Sequence, residues 1–313
     1  MSFKNAFKNL ISHFSTVWVL LLYIVIFAAL IVGVSLPFLL PITRALGNAG
    51  VFAYVKDGFS ALFNGGNFKG LWDGLYASYN AVIATFQNDG RIAALATVFF
   101  VVIVVVAFRF FLGLYEIPMT TVLDGRLSCN ANYGFGGKFF STLWLSVRYS
   151  FAKMLFTVIY DSIVSLIIYG VISAMGMSIA VIFIIIPIIL VMWSFRFSLV
   201  AGWAPCVVNG ECGVARGFFR SAKLFFKNFA TFYSTYFVSL ILIFAIGVFI
   251  TLFTLGIGLV IVLPIAATYI SYLNITEYYN KRGRRYYVDG CVFTPPTDNV
   301  VPEIIDTIID DDD

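Results

Sequence analysis

The stretch Val98-Phe99-Phe100-Val101-Val102-Ile103-Val104-Val105-Val106-Ala107 decides the fold class. These residues show no alternation of polar and apolar side chains, so they do not fit a transmembrane barrel strand, which alternates between lipid and lumen. Helices and closed barrels are the only backbone arrangements that satisfy every peptide group inside hydrocarbon. Extended at both ends, the run covers about 92–115, and about 20 apolar residues suffice to cross a hydrocarbon layer about 30 Å thick. It reads as a membrane helix.

Working outward, five more such stretches lie at about 17–40, 152–174, 178–203, 232–252 and 257–275. Hydrophobic residues make up 61% of the chain and charged residues 12%, against roughly a quarter charged in soluble domains. The expected fold is all-α, a polytopic membrane helix bundle of about six spans. The first run follows Lys4 and Lys8 but is longer than the 7–15-residue core of a signal peptide, so it counts as the first span.

Basic residues set the expected orientation. Lys4, Lys8, Arg126, Lys138, Arg148, Lys153, Arg216, Arg220, Lys223, Lys227, Lys281, Arg282, Arg284 and Arg285 fall on one side, against Arg44, Lys56, Lys69 and Arg91 on the other. The positive-inside rule then places both termini in the cytoplasm. All four cysteines fall on that side, where thiols are kept reduced.

The spans fall into pairs, and the second of each pair is followed by a short polar segment read as a turn. These are Val122-Leu123-Asp124-Gly125, Val207-Val208-Asn209-Gly210 and Tyr287-Val288-Asp289-Gly290. Phe108-Arg109-Phe110 is followed nine residues on by Pro118, and Phe195-Arg196-Phe197 nine on by Pro205. Phe7-Lys8-Asn9 reappears as Phe226-Lys227-Asn228, offset by 219. These matches imply a threefold parallel repeat with units of about 1–130, 131–212 and 213–290. The units share one integral membrane domain, 1–280, followed by a largely disordered cytoplasmic tail, 281–313.

Each unit is expected to open with a basic amphipathic helix on the membrane surface. In the first, Phe3, Phe7, Leu10, Ile11 and Phe14 share one face; in the third, Val214, Phe218, Ala222, Phe225 and Phe229 do so. The first unit also carries a long outer loop, about 41–91. In it Phe68, Leu71, Trp72, Leu75, Tyr76, Tyr79, Val82, Ile83 and Phe86 form a helical stripe after the break at Asn64-Gly65-Gly66-Asn67.

Three ionisable residues, Arg109, Asp161 and Arg196, lie within the spans. Such residues cost roughly 2.5–3.5 kcal/mol each on insertion scales, so they face the protein interior and pair. Asp161 lies about 13 Å into its span and the arginines about 9–11 Å into theirs, so a polar cluster of the three is reachable. It reads either as an interhelical clamp or as a substrate or proton site.

The chain has one histidine, His13, and none of the motifs of phosphate loops, nucleophile elbows or zinc proteases. No enzyme activity, cofactor or metal is expected. A net charge of +4, with the basic residues already accounted for by topology, gives no reason to expect nucleic acid. Membrane lipids are the expected partners. A protein could also dock on the outer loop or on the acidic tail, where Ile304, Ile305, Ile308 and Ile309 form a short apolar motif.

The segment from Ala204-Pro205-Cys206-Val207-Val208 to Phe218-Phe219-Arg220-Ser221-Ala222-Lys223-Leu224-Phe225 resembles a pattern of six-span bacterial membrane proteins. Its elements are a proline, a small loop and an "R-S-x-x-L" surface helix. The resemblance is to the YciC-like group and to the membrane domain that precedes some glycerophosphodiester phosphodiesterases. It implies a bacterial cell-membrane protein. The phosphodiesterase activity does not carry over, because no such catalytic domain follows. The leading expectation is a non-enzymatic membrane module that organises lipid or partner proteins; the alternative is a small-solute or lipid transporter using Asp161 with Arg109 and Arg196.

Overall fold

The computed structural model describes residues 2–129, 131, 133–176, 179–254 and 256–295. Among these the chain is helical apart from one two-stranded hairpin. Six segments are long and apolar enough to cross a membrane: Ser15–Asn48, Gly90–Cys129, Leu143–Met175, Val181–Val208, Phe229–Phe253 and Leu259–Arg282. The all-helical, six-span expectation holds, though the helices run longer than the apolar stretches suggested. Ser15–Asn48, with 34 residues, is about 50 Å long at 1.5 Å per residue, well beyond the hydrocarbon thickness. Pro37 and Pro41 lie inside it without ending it.

The chain forms two compact units, one of Met1–Val25 with Phe110–Asp313 and one of Ile26–Arg109. The smaller contains most of α2 (Ser15–Asn48), then α3 (Val51–Gly65), α4 (Phe68–Asn88), α5 (Gly90–Val98) and a π-helical stretch, Phe99–Phe108. Six consecutive β-branched residues, Val101 to Val106, occupy the π-helical stretch. Such side chains crowd the preceding turn of a tighter helix.

The expected loop 41–91 is therefore largely helical, and α3 is an element the sequence did not reveal. Gly66, at φ 61°, ends α3: its N–H reaches Leu62 O, the single bond of an αL closure, and that of Asn67 reaches Ala61 O. Asn67 Oδ1 then accepts from Gly70 N at 3.0 Å and caps α4. The helical stripe expected from Phe68 to Phe86 is α4. A Cβ on Gly74 would lie 2.7 Å from Tyr54 O and 2.8 Å from Gly58 Cα. The α3–α4 contact is thus backbone against backbone, the close approach that small residues permit between membrane helices.

The larger unit holds α1 (Ser2–Ser12), α7 (Glu116–Cys129), α8 (Phe135–Ser141), α9 (Leu143–Met175), α10 (Ile179–Val200), α11 (Trp203–Val208), α12 (Val214–Lys227), α13 (Phe229–Phe253) and α14 (Leu259–Arg282). Strands β1 (Tyr286–Val288) and β2 (Cys291–Phe293) follow. The short α6 (Arg109–Leu114) precedes α7. Of the apolar stretch of α14, 56% is buried, against 22% or less in the other five spans. α14 is therefore the element around which the larger unit packs.

One core cluster lies at the ends of the spans. Ile117, Tyr149, Val200, Trp203, Ala204 and Val207 form it, with Phe156 and Phe218 packed against it. Trp203 sits 5.1 Å from Tyr149 and 5.0 Å from Phe218, ring to ring, and donates Nε1–H to Val214 O at 2.7 Å. Pro118 and Pro205 are each the third residue of a short helix, α7 and α11. In a first turn the missing N–H has no intrahelical acceptor to lose. Their shared spacing after Arg109 and Arg196 therefore marks the same local event, a span that stops and restarts.

Two readings of the polar segments and cysteines are corrected. Val122-Leu123-Asp124-Gly125 is not a turn but lies inside α7. Gly125 has no side chain because the Tyr133 ring occupies the place a Cβ would take. Gly210 and Gly290 do turn the chain, at φ 72° and 78°. Cys206 and Cys212, expected to be free, face each other as a bonded pair with Cα atoms 6.2 Å apart; the turn after α11 brings them together.

Residues 281–282 end α14, and 286–293 form a hairpin with Asp289-Gly290 at its tip, both residues at positive φ. Asp-Gly suits such a two-residue turn. The acidic end and its isoleucine motif lie outside the described residues.

Candidate functional site

Asp161 projects from α9 and Arg196 from α10. Arg196 Nη1 donates to both carboxylate oxygens, at 2.7 and 2.8 Å. The side chains keep 17% (Arg196) and 21% (Asp161) exposure. The guanidinium also lies 5.7 Å from the Trp193 ring and 5.2 Å from that of Phe197. An arginine so placed is held by charge on one side and by aromatic faces on the other. Tyr160 does not bind the carboxylate; its hydroxyl donates to Met192 O at 2.7 Å. The structure thus brings Asp161 and Arg196 together. Arg109 is half-buried and closes the smaller unit.

A second ion pair was missed in the sequence. Glu116 opens α7, where a carboxylate complements the helix dipole. It pairs with Lys153 of α9 and accepts from Tyr149 OH at 2.9 Å. The available signal was an acidic residue directly before Ile117-Pro118, at the point where a helix restarts.

A further polar cluster gathers around the end of α14. Arg282 pairs with Glu211, in the turn after α11, and Arg284 reaches the other oxygen of that carboxylate at 3.0 Å. Arg284 also donates to Asn209 Oδ1 at 2.8 Å. Two of the basic residues expected to meet lipid headgroups are therefore engaged by the protein. Tyr279 OH donates to Asp124. Glu277 and Lys281, opposite charges one helical turn apart, are both buried.

Helix α1 completes this cluster, with a face the sequence did not select. Its buried residues are Ser2, Asn5, Ala6, Asn9 and Leu10, while Phe7, Ile11 and Phe14 are exposed. Asn5 Nδ2 donates to Tyr286 OH at 2.8 Å, which itself donates to Asn280 Oδ1 at 3.0 Å. Asn280 Nδ2 donates to Ser2 Oγ at 2.5 Å. Asn9 Nδ2 donates to Tyr287 O and Asn9 Oδ1 accepts from Asp289 N, both at 3.3 Å. Ser12 Oγ donates to Asp289 Oδ1 at 2.8 Å. Buried polar groups seek partners, and the hairpin supplies them. Burial pushes the Tyr286 hydroxyl up to about 12, so it stays protonated. Burial also holds His13, just past α1, below its ordinary value, with Arg126 adding to the effect and an Asn9 backbone bond and Asp289 opposing it.

The "R-S-x-x-L" segment has a structural meaning. Ser221 Oγ donates to Leu199 O at 2.7 Å and accepts from Gly202 N at 3.1 Å, joining α12 to the break after α10. Leu224 is buried beside it, and Arg220 donates to Glu211 O at 2.8 Å. The pattern is a docking device. Among the described residues, no group of three or more His, Cys, Asp or Glu could hold a metal ion.

Six apolar spanning helices make this an integral, multi-pass membrane protein. No protein-family model, curated protein or solved structure matches the chain.

Proposed function

We propose that the chain is a non-enzymatic module of a bacterial cell membrane that organises lipid or partner proteins at its cytoplasmic face. Both termini lie on that face in this reading, as the distribution of lysine and arginine favours. The resemblance to the YciC-like group belongs to the same reading, as does a threefold organisation with surface helices opening the units. The observation that carries it is the pair of hydrogen bonds from Arg196 to Asp161. The charge of Arg196 is engaged within the fold and acts as a clamp between α9 and α10. The test is Asp161→Asn in full-length protein: abundance and melting temperature should fall, while proton-coupled flux into reconstituted liposomes stays at the level of protein-free vesicles for wild type and variant alike.

A transporter is the second reading, favoured by the remaining exposure of the pair, 17% and 21%. It predicts solute flux in the wild type that Asp161→Asn abolishes without loss of folded protein.

A further inference from the structure

Two separate helices carry the same seven-residue element with the same pattern of exposure. Residues 2–8 read Ser2-Phe3-Lys4-Asn5-Ala6-Phe7-Lys8, and residues 221–227 read Ser221-Ala222-Lys223-Leu224-Phe225-Phe226-Lys227. The shared sequence is S-x-K-x-x-F-K. In both copies the serine and the pair before phenylalanine are buried, while the two lysines and the phenylalanine are exposed. Phe7 is 50% and Phe226 62% exposed.

The buried side of each copy is anchored to the protein. Ser2 accepts from Asn280, and Ser221 bridges Leu199 O and Gly202 N. Each helix is thus fixed in rotation about its own axis. On the outer side, lysines at i and i+4 share a face with the phenylalanine at i+3. Two ammonium groups on one face raise the local positive potential, which attracts an anion at a membrane surface. An exposed phenyl ring between two ammonium groups fits the boundary between acyl chains and headgroups, with the ring below and the cations at the phosphates.

Position along the chain selects the source of that anion. His13-Phe14 alone separate α1 from the span that starts at Ser15, and Asn228 alone separates α12 from the span that starts at Phe229. Each element therefore sits where its chain enters the membrane, at headgroup depth. We infer that the two S-x-K-x-x-F-K elements, Ser2–Lys8 and Ser221–Lys227, are paired docking sites for the phosphate headgroups of anionic glycerophospholipids. This rests on the lipid-organising reading above and gives it a ligand class.

The test uses full-length protein in nanodiscs of equal phosphatidylglycerol and phosphatidylcholine, with retained lipid counted by native mass spectrometry after mild detergent release. Wild type should retain phosphatidylglycerol preferentially. Lys4→Gln with Lys8→Gln, and separately Lys223→Gln with Lys227→Gln, should each lower that preference by about five-fold or more, given the usual contribution of a lysine near an anionic surface. Phe7→Ser with Phe226→Ser should reduce retention as well. Melting temperatures should match wild type, since the changed side chains are exposed. A preference unchanged in the variant lacking all four lysines overturns the assignment but leaves lipid organisation standing. A wild type with no preference overturns both. Full displacement of phosphatidylglycerol by excess inorganic phosphate would make free phosphate the ligand and also overturn it.

Discussion

Replacing Asp161 by asparagine keeps the side-chain shape but removes the charge that Arg196 binds through Nη1 at 2.7 and 2.8 Å. A hydrogen bond to a charged group is worth about 1.5–3 kcal/mol net, and breaking a buried pair costs about 3–5 kcal/mol. About a fifth of each side chain still reaches the surface, which moves the expected loss to about 2 kcal/mol, the lower end of these ranges. At about 2–4 °C per kcal/mol for a chain of 150–250 residues, Asp161→Asn should lower the melting temperature in detergent by about 4–8 °C. The double variant Asp161→Asn, Arg196→Met removes both charges and keeps the bulk. Well-packed neutral replacements of buried pairs are often tolerated, so at least half of the lost stability should return. Asp161→Asn melting like wild type would refute the clamp. So would a double variant no more stable than Asp161→Asn, because the penalty would then not come from a charge left without its acceptors.

Gly74→Ala places a methyl group against the backbone of Tyr54 and Gly58; overpacking of this kind should cost about 1–3 kcal/mol, seen as a lower unfolding midpoint. Asn9→Ala removes two bonds to the hairpin and should speed hydrogen exchange at the amide of Asp289, leaving the centre of α13 unchanged. His13 has a folded pKa below 6.5, so the unfolded chain binds more protons and stability falls as pH drops from 6.5 towards the folded value. Protection of the α1 amides, corrected for the pH dependence of intrinsic exchange, should accordingly be lower at pH 5 than at pH 7.5, and His13→Gln should abolish the difference.

The spans were legible because hydrocarbon imposes one rule on every residue, and a run such as Val98–Ala107 leaves no second solution. The Asp161–Arg196 pair was legible for the same reason, since an intramembrane charge must find a partner. Helix α3 was not, because its break at Gly66 and its packing through Gly58 and Gly74 depend on a neighbour rather than on periodicity. The burial of Asn5 and Asn9 was hidden too. In a soluble helix the apolar stripe marks the buried face, but near a membrane lipid can cover it, and Asn5 and Asn9 turn towards the protein instead. Gly125 looked like Gly210 and Gly290 in the sequence, yet it yields space to Tyr133 rather than supplying a left-handed turn. The hairpin had a signal, Asp289-Gly290 between Tyr286-Tyr287-Val288 and Cys291-Val292-Phe293, but the segment reads in sequence only as a turn leading into a disordered tail.

The clasp between α1 and the hairpin also orders events during synthesis. Residues 2–12 emerge before any span, but Tyr286, Tyr287 and Asp289, which hold Asn5, Asn9 and Ser12, emerge only after all six spans have been made. Until then the polar side of α1 has no partners in the hairpin and must remain in water. Its docking is therefore a late step, one that reports that the last span has reached its place.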